Sequence, residues 1–115
     1  MEQKLRYTLA LKVYGDEKIF GPGIAELLEK IDEFKSIRKA TLSMGMAYSK
    51  AWSIIKTAEK SLGFSLLHST TGGAGGGGAV LTEKGRQFLL SYRKFETIVH
   101  DYADEIFLEL FGAKA

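Results

Sequence analysis

Residues 36 to 63, "SIRKATLSMGMAYSKAWSIIKTAEKSLG", hold two short apolar stripes separated by one glycine. This arrangement constrains the fold more than any other feature of the chain. Ile37, Ala40, Thr41 and Met44 recur at i, i+3, i+4 and i+7, which is one face of a helix. Ser36 stands just before them as an N-cap, its side-chain oxygen suited to the free N–H groups of a first turn. Gly45 ends the run in the left-handed C′ position that glycine adopts at little cost. Ala51, Ile54, Ile55, Ala58 and Leu62 then renew the helical spacing almost at once, and Gly63 closes it. Two helices joined by so tight a turn form a helix-turn-helix, whose second member is the recognition helix.

The flanking segments complete one domain of 115 residues, with 45% hydrophobic residues to form its core. Leu5, Tyr7, Leu9, Leu11 and Val13 alternate with Arg6, Thr8, Ala10 and Lys12, a period of two that predicts a half-buried strand. "YGDEK" is a turn and "KIF" can return, so a β-hairpin is expected over 5–20. Pro22 suits a first helical position, and Ile24, Leu27, Leu28, Ile31 and Phe34 continue as an amphipathic helix. Three helices are therefore expected within 22–63. "FSLLHS" and "AVL" read as two short strands around a glycine loop, over 64–81. Thr82 is an N-cap for a last helix over 83–110. On that helix Phe88, Tyr92, Phe95, Val99, Tyr102, Ile106 and Leu110 follow a nearly heptad spacing, the pattern of a dimerisation seam.

The glycine loop "TTGGAGGGGAVLT" admits three readings. Gly73, Gly75 and Gly78 fit the spacing of a dinucleotide-binding loop, which requires a helix to open directly after it. A strand-like "AVLT" follows instead. No lysine follows the last glycine, which excludes a phosphate-binding P-loop. A linker would separate two folding units, and too little chain follows for a second one. A hairpin needs nothing extra. Helix-turn-helix, two strands and a helix, in that order, make a winged helix. The class is mainly α with a small β component.

Charge is unevenly placed. Between Ser36 and Lys60 stand Arg38, Lys39, Lys50, Lys56 and Lys60 against the single acid Glu59, which leaves +4. From Phe95 to Ala115, Glu96, Asp101, Asp104, Glu105 and Glu109 stand against Lys114, which leaves −4. A basic middle suits a polyanion. With the apolar stripe of the recognition helix inward, Ser49, Lys50, Ser53, Lys56, Thr57 and Lys60 face outward. Lysines reach phosphates and guanine edges, and small hydroxyls permit close approach to DNA. Arg38 and Lys39 are expected to contact the DNA backbone. Tyr48 either stacks or meets a phosphate, or packs on the neighbouring helix, and Trp52 packs. On the wing, Thr70 and Thr71 offer hydroxyls. Gly73, Gly75 and Gly76 either present backbone N–H groups to a groove or form a solvent loop.

Other chemistry is poorly supplied. The chain has no cysteine, which removes disulfides, thiolate metal sites and cysteine nucleophiles. His68 and His100 lack the spacing of metal ligands. No base neighbours Ser43, Ser49 or Ser53 as a nucleophile would need. No enzyme activity, cofactor or metal is therefore expected. No apolar run approaches the roughly 20 residues of a membrane span, and a cytoplasmic location is expected.

Taken together, "FGPGIAELLEKID", "SIRKA", "MGMAYSKAW" and "TTGGAGGGGAVLTEKGRQFL" resemble the N-terminal DNA-binding domain of the ModE-type molybdate-dependent transcriptional regulators, from about Leu11 to about Tyr92. The helix-turn-helix portion is also similar to that of LysR-type regulators. The resemblance implies a winged helix preceded by a β-hairpin. It also implies a long C-terminal helix forming a homodimer on a two-fold operator, with Tyr48, Ser49 and Lys50 where the recognition helix enters the major groove. Gly72 to Gly78 would form the wing. Three departures stand out. The family's effector-binding domains do not follow here, so a standalone regulator, or a sensor protein in a separate chain, is expected. Ala47 stands where the pattern offers a capping serine. Ala74 stands where a lysine is common, and no Lys or Arg occurs from Ser65 to Glu83. The expected function is a homodimeric, sequence-specific regulator that binds double-stranded DNA. The alternative is a winged helix used as a protein-interaction module, without specific DNA binding.

Overall fold

A computed structural model describes residues 4–70 and 78–112. Two strands, Val13–Tyr14 (β1) and Lys18–Phe20 (β2), precede three helices, Pro22–Phe34 (α1), Ile37–Met44 (α2) and Tyr48–Leu62 (α3). Strands Leu67–Thr70 (β3) and Gly78–Leu81 (β4) follow, then the helix Glu83–Phe111 (α4). This is a winged helix-turn-helix.

Local chemistry sets most of these boundaries. The Ser36 hydroxyl accepts from the Lys39 N–H at 3.0 Å and caps α2. Gly45 adopts φ 65°, and the Met46 N–H then reaches back to the Thr41 carbonyl at 2.9 Å. That bond turns the chain sharply enough for α3 to start three residues later. Thr82 caps α4 by accepting from Gly85 N–H at 2.9 Å, while its own hydroxyl donates to the Ser65 carbonyl at 2.6 Å. One side chain therefore joins the last helix to the start of the wing.

The core gathers Phe20, Leu27, Leu28, Ile31, Ile55 and Leu66, all fully buried. Phe20 from β2 meets Phe88 and Tyr92 of α4 edge to face, with centroids 4.8 and 4.9 Å apart. Across the surface, α1 and α4 are clasped by charge. Arg93 donates to both oxygens of Glu29 at 2.7 and 2.9 Å, and Arg86 lies 3.2 Å from Asp32. Bonding to Arg93 holds the Glu29 carboxyl below its ordinary range, against a smaller opposing effect of burial.

The wing strands pair antiparallel, with Leu67 opposite Leu81 and Thr70 opposite Gly78. Their root is fixed to the α1–α2 junction. The Ala79 N–H donates to the Lys35 carbonyl at 3.2 Å. A β-carbon on Gly78 would lie 2.6 Å from that same carbonyl oxygen. Lys35 itself takes the left-handed conformation, φ 56°, as it ends α1.

The N-terminal strand expected from residue 5 is shorter than its sequence pattern. Only Val13 and Tyr14 pair with β2, through an irregular register. Leu5, expected on the buried face, is exposed, whereas the residues from Tyr7 onward keep the alternation, with Tyr7, Leu9 and Leu11 half-buried and their neighbours exposed. They bury that face on a helix instead of pairing with a strand. The Tyr7 ring lies 4.9 Å from Phe107, its hydroxyl donates to Asp104, and the Tyr92 hydroxyl donates to the Leu11 carbonyl at 2.7 Å. The bond to Asp104, reinforced by burial, pushes the Tyr7 hydroxyl up to about 12. Residues 7 to 11 thus run antiparallel to α4 as an arm.

Candidate nucleic-acid interface

Helix α3 turns Ala51, Ile55 and Ala58 fully into the core. The opposite side is therefore outward, and Ser49, Lys50, Ser53, Lys56 and Lys60 are exposed there, with Thr57 half-buried. No outward position of α3 is acidic. Ala47 provides no side-chain cap to this helix, so its first N–H groups have no side-chain oxygen competing with an incoming anion.

On the wing-facing flank, cations and rings alternate. The Arg38 guanidinium from α2 lies 4.5 Å above the Tyr48 ring. Tyr48 meets Trp52 edge to face at 6.4 Å, and the Lys56 ammonium lies 5.2 Å from the Trp52 ring. Tyr48 remains 38% exposed, so both of its expected roles, packing and contact, remain open to one side chain. Arg38 and Lys39 are exposed at the start of α2 on the same side of the molecule. Thr70 is exposed at the end of β3, and Gly78 is its cross-strand partner. Thr71, Gly73, Gly75 and Gly76 lie outside the described residues.

Glu59 is the residue that sequence reasoning passed over. Placed to one side of the basic stripe, it accepts from the Leu66 and Leu67 N–H groups at 2.7 and 3.3 Å. Its other oxygen lies 3.5 Å from the Lys56 ammonium. One carboxylate thus fixes the wing to the recognition helix and holds Lys56 along it. The only sequence signal was its isolation among basic residues.

Helix α4 divides the expected seam. Tyr92 is 3% exposed and Phe88 packs against Phe20 and Phe64, so both pack into the chain's own core. The heptad-like spacing continues past Tyr92, the last α4 residue of the buried core, and spacing alone does not mark that point. Phe95 and Tyr102 are exposed, Val99 and Ile106 are half-buried, and Leu110 is exposed near the helix end. Ile98, absent from the expected seam, is 58% exposed between Phe95 and Tyr102. At three- and four-residue spacing these three share one side of the helix. No helix among the described residues is long and apolar enough to cross a membrane.

Comparison with known proteins agrees with this geometry. Residues 25–86 match the bacterial regulatory helix-turn-helix family of LysR type. The chain is 33% identical over 93 residues to the DNA-binding transcriptional dual regulator ModE of Escherichia coli, covering 80% of this chain and 34% of that protein. It is 33% identical over 70 residues to the molybdenum transport protein ModE of Herbaspirillum seropedicae, covering 61% of this chain and 26% of that protein. It is also 30% identical over 95 residues to the molybdenum-pterin-binding protein MopA of Rhodobacter capsulatus, covering 83% and 36% respectively. The chain therefore spans about a quarter to a third of the length of these curated relatives. The matched family consists of regulators rather than enzymes. The matched segment runs from α1 through the first turn of α4, and by it the chain belongs to the LysR-type bacterial helix-turn-helix proteins, as a ModE-like member.

Proposed function

We propose that this protein is a sequence-specific transcriptional regulator that binds double-stranded DNA as a homodimer in the cytoplasm. The observation that carries this reading is the outward face of α3, basic and hydroxyl-rich without an acid, beside a wing fixed to it by Glu59. In this reading Lys50 and Lys60 meet phosphates, and Ser49 and Ser53 allow the helix to approach base edges. Arg38 and Lys39 hold the backbone that flanks the groove. Thr70, at the end of β3, adds a hydroxyl contact in this reading, and Thr71, Gly73, Gly75 and Gly76 are proposed to add hydroxyl and backbone contacts.

The homodimer would form through the open side of α4, Phe95, Ile98, Tyr102 and Ile106, with Val99 beside them and Leu110 at the end. Charge favours an antiparallel pair. The first half of the helix carries Lys84, Arg86, Arg93 and Lys94 against Glu83 and Glu96, and the second carries Asp101, Asp104, Glu105 and Glu109 with no Lys or Arg. An antiparallel copy centred on this stripe brings Lys94 beside the partner's acidic half, whereas a parallel copy sets the two acidic halves together. Selection of binding sites from a randomised duplex pool, with sedimentation of the free protein, tests both parts. Enriched two-fold sites and a dimer are expected. A monomer that enriches no sequence would favour the protein-interaction reading of the same apolar stripe.

A further inference from the structure

The basic face does not account for Leu42. This side chain is 75% exposed, although α2 already buries Ile37, Ala40 and Thr41. With Arg38, Lys39, Tyr48, Trp52 and Ala79 it lines a cleft of about 600 Å³ between α2, the first turns of α3 and the root of the wing. Leu42 and the edge-to-face rings of Tyr48 and Trp52 form its apolar wall, and Ser36 and Ser69 also line it. The rim is cationic, with the Arg38 guanidinium over the Tyr48 ring and Lys39 exposed beside it.

We propose that this cleft reads a thymine methyl group in DNA, with Leu42 as a specificity-determining contact. The inference rests on the proposed function, in which the first turns of α3 enter the major groove. Base edges there carry hydrogen-bond donors and acceptors, and thymine alone among the four bases adds a methyl group. Leu42 has no polar atom. Covering a guanine, adenine or cytosine edge with it would leave a donor or acceptor without water or partner. Covering a methyl group removes apolar surface from water on both sides. A phosphate is no occupant for the leucine, because charged oxygens lose hydration against an apolar wall. The rim cations take the phosphates and the leucine takes the base edge.

The test uses the tightest duplexes selected from a randomised pool. Each thymine is replaced in turn by deoxyuridine, which removes the methyl group and leaves base pairing intact. Wild-type protein and Leu42→Ala are titrated against each duplex. At one thymine position per half-site, the replacement should weaken wild-type binding about four-fold. The same replacement should leave Leu42→Ala unaffected. Exposure of Leu42 keeps the variant folded, which its melting temperature verifies. Wild-type indifference to every replacement overturns the proposal. So does an equal loss in both proteins, which would place the methyl group on another residue. Duplex binding persists in both of those outcomes, so they leave the regulator reading intact. Failure to enrich any duplex overturns the regulator reading and this inference together.

Discussion

The Glu59 carboxylate accepts from the Leu66 N–H at 2.7 Å, joining the recognition helix to the first strand of the wing. Glu59→Ala would strand two backbone donors, one of them on the fully buried Leu66. Hydrogen bonds to a charged group contribute about 1.5–3 kcal/mol each at most. We expect a loss of about 2 kcal/mol by urea denaturation, and a smaller loss for Glu59→Gln, which keeps an acceptor. Equal stability of all three proteins would contradict this role.

Gly78 illustrates the same joint from the other strand. An added β-carbon would sit 2.6 Å from the Lys35 carbonyl oxygen and 2.7 Å from the Thr70 hydroxyl oxygen. The hydroxyl can rotate away, but the carbonyl is backbone. Gly78→Ala should therefore cost about 1–3 kcal/mol through overpacking. It should also raise hydrogen exchange in β3 and β4 relative to the helices. Unaltered exchange at Ala79 would show that the root accommodates the methyl group.

The clasp between α1 and α4 makes stability depend on pH. Arg93 holds Glu29 below its ordinary value; for Asp32, burial opposes ionisation, and the bond to Arg86 with other partners outweighs it. Both carboxyl groups are thus lowered on folding. Their contribution is complete above the ordinary carboxylate range and lost as pH falls through the lowered values. Glu29 is 44% exposed, so solvent limits its pair with Arg93 to about 0.5–1 kcal/mol. Thermal melts from pH 7 to pH 3 should fall less steeply for Arg93→Gln than for wild type. Parallel curves would remove this pair from the account.

Two positions on α4 separate folding from association. Tyr92→Phe deletes the bond to the Leu11 carbonyl and should cost about 1 kcal/mol of stability without changing self-association. Ile98→Glu places a charge on the open stripe and should dissociate the proposed dimer while leaving the chain folded. Sedimentation equilibrium paired with thermal melting distinguishes the two effects. A Tyr92→Phe monomer would return that residue to the seam.

What could be read from the sequence follows the range of the interactions. Ser36, Gly45, Gly63 and Thr82 act on their own helix ends, and their residue types alone mark the turns. The alternation reported one apolar face, half-buried from Tyr7 to Val13 with Leu5 exposed, but not what covers it, and at Tyr7 and Leu11 the cover is α4. The stripe from Phe88 to Leu110 likewise showed one apolar side, without showing where the domain's own core stops using it. Glu59, Gly78 and Leu42 owe their importance to partners from other elements. The glycine run showed a loop, whereas the need for glycine at position 78 arises from the carbonyl of Lys35.

The most direct measurement is the salt dependence of binding to a selected duplex, by fluorescence anisotropy, for wild type, Lys50→Ala and Lys60→Ala. If the outward face of α3 is the DNA surface, wild-type affinity falls steeply with salt. Each variant then binds more weakly and lowers the logarithmic salt slope by about 0.9, one phosphate contact. Full affinity and an unchanged slope in both variants would contradict the assignment of this face to DNA.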